Sequence, residues 1–221
     1  VPHDWMIEER EYLRHEERRG RRFAYERVDP ARTALVVIDM VPFFLDVNRY
    51  AREIVPNIAA LAGALRTAGG TVAWVVPAPG PESLRAVAEE FYGPEIAAVF
   101  RASGGEGPVR DRLWPEFEVD GERDLLVEKT AASAFFPGRS DLHEQLTARG
   151  VDTVLITGTV TNVCCESSAR DASTLGHRVI MLADATAARR DADQNASLYT
   201  IYRSFGDVRT TAEVLGLIAV H

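Results

Sequence analysis

From Thr33 onward the chain alternates short apolar runs with longer stretches whose apolar residues recur at helical spacing. The runs "TALVVIDM", "TVAWVVP", "DLLVEKT", "TVLITG", "RVIMLAD" and "VRTT" read as six strands. Between them, "IVPNIAALAGALRTAGG" is apolar at helical spacing and stops at a glycine pair. "SDLHEQLTARG" predicts a helix opened by a Ser/Asp cap and closed by Gly150. Further helices are predicted from about Asn162 to Leu175, over "DADQNASLYTIYRSFG", and over "AEVLGLI". The segment from Ala78 to Gly121 is irregular and rich in Gly and Pro, with helical pieces near Leu84 to Phe91 and Glu95 to Phe100. Alternating strands and helices predict an α/β fold: three α-β-α layers around a Rossmann-like, mostly parallel six-stranded sheet. Near-continuous apolar strands fit a sheet covered on both faces.

The first thirty residues break this pattern. They are rich in mixed charge, with Trp5, Met6, Tyr12 and Leu13 at roughly helical spacing. The expected organisation is a charged arm over residues 1–30 and one domain over 31–221. A solvated helix on the domain surface is the first reading of the arm, and packing on another subunit the second. The formal net charge of −8 argues against nucleic acid as a partner. No apolar run reaches the roughly 18 to 20 residues that span a bilayer, so no membrane association is expected. The two cysteines are adjacent and cannot staple a domain of 221 residues. They fit a reducing cytoplasm.

Ligands of doubly wound sheets bind beyond the carboxyl ends of the strands. Asp39 closes the first strand, Lys129 the third, and the fourth runs into "GTVTNVCCESSARDA". Each residue alone has an ordinary structural explanation: a capping Asp, a surface Lys, a buried Cys. Together they put an acid, an amine and a thiol on one crevice.

"ALVVIDM", "VEKTAASAFF" and "ITGTVTNVCCESSARDA", in that order, resemble the isochorismatase-like cysteine hydrolases. That group includes nicotinamidases, N-carbamoylsarcosine amidohydrolases, ureidoacrylate and biuret hydrolases, and isochorismatases. The resemblance implies a catalytic Asp39–Lys129–Cys164 triad, with Cys164 the nucleophile and Cys165 at a position usually apolar. It also implies a non-proline cis peptide between Val160 and Thr161, in a loop with Val163 whose backbone N–H groups face the oxyanion. The expected reaction is hydrolysis of a C–N bond in a small molecule through a thioester. Asp39 would move the proton, and the first helical turn and Lys129 would favour a thiolate at Cys164. The alternative is a vinyl-ether hydrolase with Asp39 as general acid and Cys164 idle. A binding module is a weaker reading because the whole triad is present, and a redox pair is weaker because adjacent helical cysteines diverge by about 100°.

The departures from the family narrow the expectation. Nicotinamidases hold a metal through an Asp-x-His arrangement, whereas this chain has Asp46-Val47-Asn48 and no histidine between His15 and His143. His143 and His177 read as structural, and neither a metal nor another cofactor is expected. Where relatives carry "DMQNDF", this chain has Val41, Pro42 and Phe43 before Phe44. Phe43, Phe44, Phe135, Phe136 and Trp114 are therefore expected to line an apolar pocket for a larger amide with an apolar or planar body. Relatives are commonly dimers or tetramers, so a homo-oligomer is expected.

Overall fold

The computed structural model describes residues 3–220. The first two residues of the expected arm and the last of the expected domain lie outside the described residues. Six strands form one all-parallel sheet: β1 (Thr33–Ile38), β2 (Thr71–Pro77), β3 (Leu125–Lys129), β4 (Thr153–Thr159), β5 (Arg178–Ala187) and β6 (Asp207–Arg209). Their order is β3-β2-β1-β4-β5-β6, so the direction of winding reverses between β1 and β4.

Every residue of β1 is buried, as a strand with neighbours on both sides and helices on both faces must be. Its side chains alternate between two cores. Ala34, Val36 and Ile38 face the layer of α8 (Leu142–Ala148), α9 (Glu166–Thr174) and α10 (Asp191–Ser204). Leu35 and Val37 face α4 (Val55–Thr67) and α11 (Thr211–Ala219). Each fully buried Leu or Ile in these layers contributes about 1.5–3 kcal/mol relative to exposure.

Two strand ends and three short helices differ from the sequence reading. The sixth strand stops at Arg209, because Thr210 accepts from Glu213 N and caps α11 instead of extending the ladder. The fifth strand continues to Ala187, because a register shift against β4 lets Thr186 and Ala187 pair with Gly158 and Thr159. Short helices α2 (Pro42–Leu45), α3 (Arg49–Glu53) and α7 (Val109–Arg112) lie in segments too brief for a periodic signal. Within the irregular segment, α5 (Arg85–Tyr92) and α6 (Pro94–Arg101) form where the helical pieces were expected.

The charged arm contains α1 (Glu9–Arg19), which leaves Trp5 and Met6 ahead of the helix. The arm lies on its own domain. Asn195 of α10 accepts from Met6 N and donates to Asp4 O. Tyr12 packs edge-on against Tyr202, and buried Glu11 meets Arg203 at 3.1 Å. His3 bonds Asp191 at 2.6 Å and stacks on Tyr50. No helix among the described residues is long and apolar enough to cross a membrane.

Gly158 sits near the end of β4 with φ +105°, where a Cβ would come within 2.1 Å of Ile38 O. Only glycine suits both that dihedral and that contact. Gly158→Ala should destabilise the fold by at least about 1 kcal/mol. Urea denaturation would measure the loss, and unchanged stability would contradict the assignment.

Candidate active site

Asp39, Lys129 and Cys164 meet at the carboxyl edge of the sheet. Asp39 follows β1 in the left-handed region, φ 53°, which Asp tolerates better than most residues. Its N–H donates to Val75 O at 2.8 Å, and its carbonyl accepts from the Thr159 hydroxyl at 2.9 Å. The backbone is thus pinned from both neighbouring strands, and the carboxylate turns inward.

Lys129 ends β3. Its Nζ lies 2.9 Å from Asp39 Oδ2 and 3.5 Å from Cys164 Sγ, and donates to Ala131 O at 3.1 Å. All three side chains are buried. The Lys129 contact holds Asp39 by charge and proximity; neither carboxylate oxygen makes a well-aligned hydrogen bond.

Cys164 lies in a wide π-helical turn, Thr161–Cys165, that runs straight into α9. The sequence reading of one helix from Asn162 misses this turn. Ser168, one turn on, holds Cys164 from behind: its hydroxyl donates to Cys164 O at 2.6 Å and accepts from Ala134 N at 2.9 Å. Ser168 thereby ties the cysteine turn to the loop after Lys129. Sequence reasoning passed over it, although a Ser four residues after a helical Cys is placed for such a bond. Cys165 is fully buried in the core, 3.9 Å from Thr157 O.

Two expectations for the loop change. The cis peptide joins Thr159 to Val160, one bond earlier than expected. Thr159 stays in the strand, paired with Ala187 and bonded to Asp39 O, so the chain leaves the sheet at the next peptide. Val160 and Val163 border the site cavity, whereas Thr161 is buried with its hydroxyl unbonded.

The proton distribution also differs from expectation. Burial pushes the Cys164 thiol up to about 12; the Asp39 charge adds to this, and Lys129 opposes it without prevailing. Burial raises the Asp39 carboxyl, against the pull of Lys129. Burial alone would lower Lys129, but Asp39 and Cys164 outweigh it and raise it. Burial and the neighbouring carboxylate thus disfavour a thiolate at Cys164, while Lys129 is held charged. The reason is that the turn's partial charge and Lys129 do not offset desolvation plus a neighbouring carboxylate.

Above the triad opens a cavity of about 870 Å³. Of the five aromatic residues expected to line it, only Phe44 does. Phe43 stands behind it, edge-on to Phe44 at 4.9 Å. Phe135 is core, because Ser133 and Ser168 bond the backbone of residues 134–135 and draw that loop under the sheet. Phe136 is half exposed and does not line the cavity. Trp114 borders a separate recess, where its backbone N–H donates to Met40 O at 2.8 Å. The wall is built instead by α5 and α6, with Leu84, Tyr92, Ala97 and Phe100. Sequence reading missed these residues; their signal was apolar spacing on two short helices with little else to cover.

Four arginines also reach the cavity. Arg85 pairs with Glu82 and Glu89, Arg101 with Glu82, and Arg139 bonds Thr130. Arg189, exposed after β5, has no hydrogen-bond or ion-pair partner among the described residues. No group of three or more His, Cys, Asp or Glu placed to hold a metal occurs among the described residues. His143 and His177 bond each other at 3.0 Å, outside this cavity.

The chain is similar to known proteins over most of its length. A family model described as the isochorismatase domain matches residues 33–213. A ureidoacrylate amidohydrolase of Variovorax paradoxus is 34% identical over 207 residues, covering 80% of this chain and 78% of that protein. The crystal structure of a cysteine hydrolase from Pseudomonas syringae superposes with a TM-score of 0.77 at 31% identity, covering 90% of this chain and 97% of that one. An N-carbamoylsarcosine amidase from Thermoplasma acidophilum superposes at 0.65 with 25% identity, covering 81% of this chain and 96% of that one.

Two measurements test the electrostatics. With the thiol pushed up to about 12, its ionised fraction rises about tenfold per pH unit from 7 to 10. Alkylation of Cys164 by iodoacetamide should climb across that range, and a plateau below pH 9 would contradict it. Lys129→Met leaves Asp39 buried and unpaired, at a cost of about 3–5 kcal/mol. A raised carboxyl pKa costs stability above that pKa, so the deficit should shrink as the pH falls and Asp39 takes up a proton. A deficit independent of pH in urea denaturation would refute the pairing.

Proposed function

The chain belongs to the isochorismatase family of hydrolases, and we propose that it hydrolyses a C–N bond of a small molecule through a thioester on Cys164. One observation carries the reading: at the base of the cavity, Lys129 Nζ stands 2.9 Å from the Asp39 carboxylate and 3.5 Å from the Cys164 sulfur.

As the sulfur attacks the carbonyl carbon, its proton passes to Asp39, whose raised affinity suits it to accept. Lys129 then offsets the charge that moves onto substrate. The carbonyl oxygen becomes an oxyanion, stabilised by backbone N–H groups of the Thr161–Cys164 turn other than that of Val163, which donates to Val160 O. Collapse breaks the C–N bond, and the proton on Asp39 goes to the leaving nitrogen. Water, deprotonated by Asp39, attacks the thioester and releases the acid, and the proton returns to sulfur. A resting thiol beside a carboxylate favours this order, in which proton transfer accompanies attack.

Cys164→Ala should lower amide or ureide hydrolysis at least a thousandfold, by analogy with the roughly millionfold effect of removing a nucleophile elsewhere. Cys165→Ala should retain turnover. The readout is released ammonia or amine across an amide and ureide panel. Undiminished amine release from Cys164→Ala would sink the thioester mechanism.

A further inference from the structure

Five aromatic rings run in continuous contact from the protein surface to the triad. Phe91 meets Tyr92 at 4.7 Å, Tyr92 meets Phe100 at 5.1 Å, Phe100 meets Phe43 at 6.2 Å, and Phe43 meets Phe44 at 4.9 Å. Phe44, Tyr92 and Phe100 border the same cavity as Cys164. Tyr92 and Phe100 remain 50% and 44% exposed, and α5 buries none of its residues. Rings of this size ordinarily hide their faces. Here two of them, with Leu84 and Ala97 between, present apolar surface into a cavity that ends at a nucleophile.

Charge on this side is already consumed. Arg85 and Arg101 are paired with Glu82 and Glu89, whereas Arg139, on the loop after β3, keeps its charge and bonds Thr130. The α5–α6 side thus has no unpaired arginine to attract an anion, and its contacts with a ligand would be dispersion and ring stacking. Volume points the same way. About 870 Å³ falls in the range of sites for ligands of many heavy atoms, well above what a bare urea fills.

We infer that α5 and α6 form the specificity wall of this site, and that the substrate is an amide or ureide bearing an uncharged apolar body, a ring or a chain of several carbons. The inference rests on the hydrolase reading for the bond cleaved, but the apolar contact itself does not require turnover. The body lies along Phe44, Phe100 and Tyr92 and holds the carbonyl over Cys164. Short polar amides reach the same sulfur without this hold.

The test uses acetamide, butanamide, hexanamide and 3-phenylpropanamide, with two readouts on the full chain: ammonia release, and protection of Cys164 from iodoacetamide. Both should rise along the series, by about fourfold per methylene until the wall is covered. Phe100→Ala should flatten that dependence. Ala88→Trp, which adds bulk on the cavity side of α5, should abolish protection by the two larger amides. Protection that rises with chain length while no amide is hydrolysed would sink the hydrolase reading and keep the wall. Hydrolysis without dependence on chain length, or a dependence unaltered in both variants, would overturn the wall and keep the hydrolase reading.

Discussion

A lysine reaching across one strand of the sheet is the contact on which the site depends. Lys129 ends β3 and Asp39 follows β1, with β2 between them. Two interstrand spacings amount to about 9.5 Å, so only a long side chain closes the distance. Having crossed, the ammonium lies where water does not reach, and so does the carboxylate it meets. Each charge is tolerable because the other is present; either alone in that position costs several kcal/mol. The pair fixes the direction of both side chains and leaves Lys129 close enough to touch the Cys164 sulfur.

Burial then decides how the proton is held. In water a neighbouring ammonium would draw a thiol toward ionisation. Here desolvation acts on thiol and carboxylate alike, and two negative groups cannot share one buried cation at low cost. Burial thus favours the protonated forms of both acidic groups over their charged forms. Nucleophile and base therefore form a single coupled unit, and its proton affinity belongs to the group rather than to Cys164 alone. Ser168, Thr159 and the carbonyl of Val75 hold the backbone of that unit from three directions.

The strand ends supply the chemistry, and the insertion after β2 supplies the enclosure. Helices α5 and α6 pack little apolar surface into either core, and they carry two of the cavity's three aromatic rings, Tyr92 and Phe100. This division lets the triad stay constant in geometry while the wall sets what fits above it. The arm acts at the other side of the sheet, where its contacts to α10 add to the first core.

The six strands, their parallel order of burial and the three residues at strand ends were legible because each is a local pattern. Apolar runs of strand length, helical spacing between them, and a polar residue at the end of a run need no knowledge of the fold. Local pattern left Cys164 and Cys165 equivalent; the resemblance to a known family separated them, and the fold places Cys164 at the cavity and Cys165 in the core. The aromatic pocket was not legible. Phe135 and Phe44 look alike along the chain, yet hydrogen bonds from two serines draw the first into the core while the second faces the cavity. The thiol's protonation was likewise beyond local pattern, because it depends on how much water the folded chain removes from three groups at once. Sequence by itself determined which chemical groups arrive at the edge of the sheet. Tertiary structure decided what surrounds them, because burial and contact between distant segments are properties of packing rather than of any one stretch of chain.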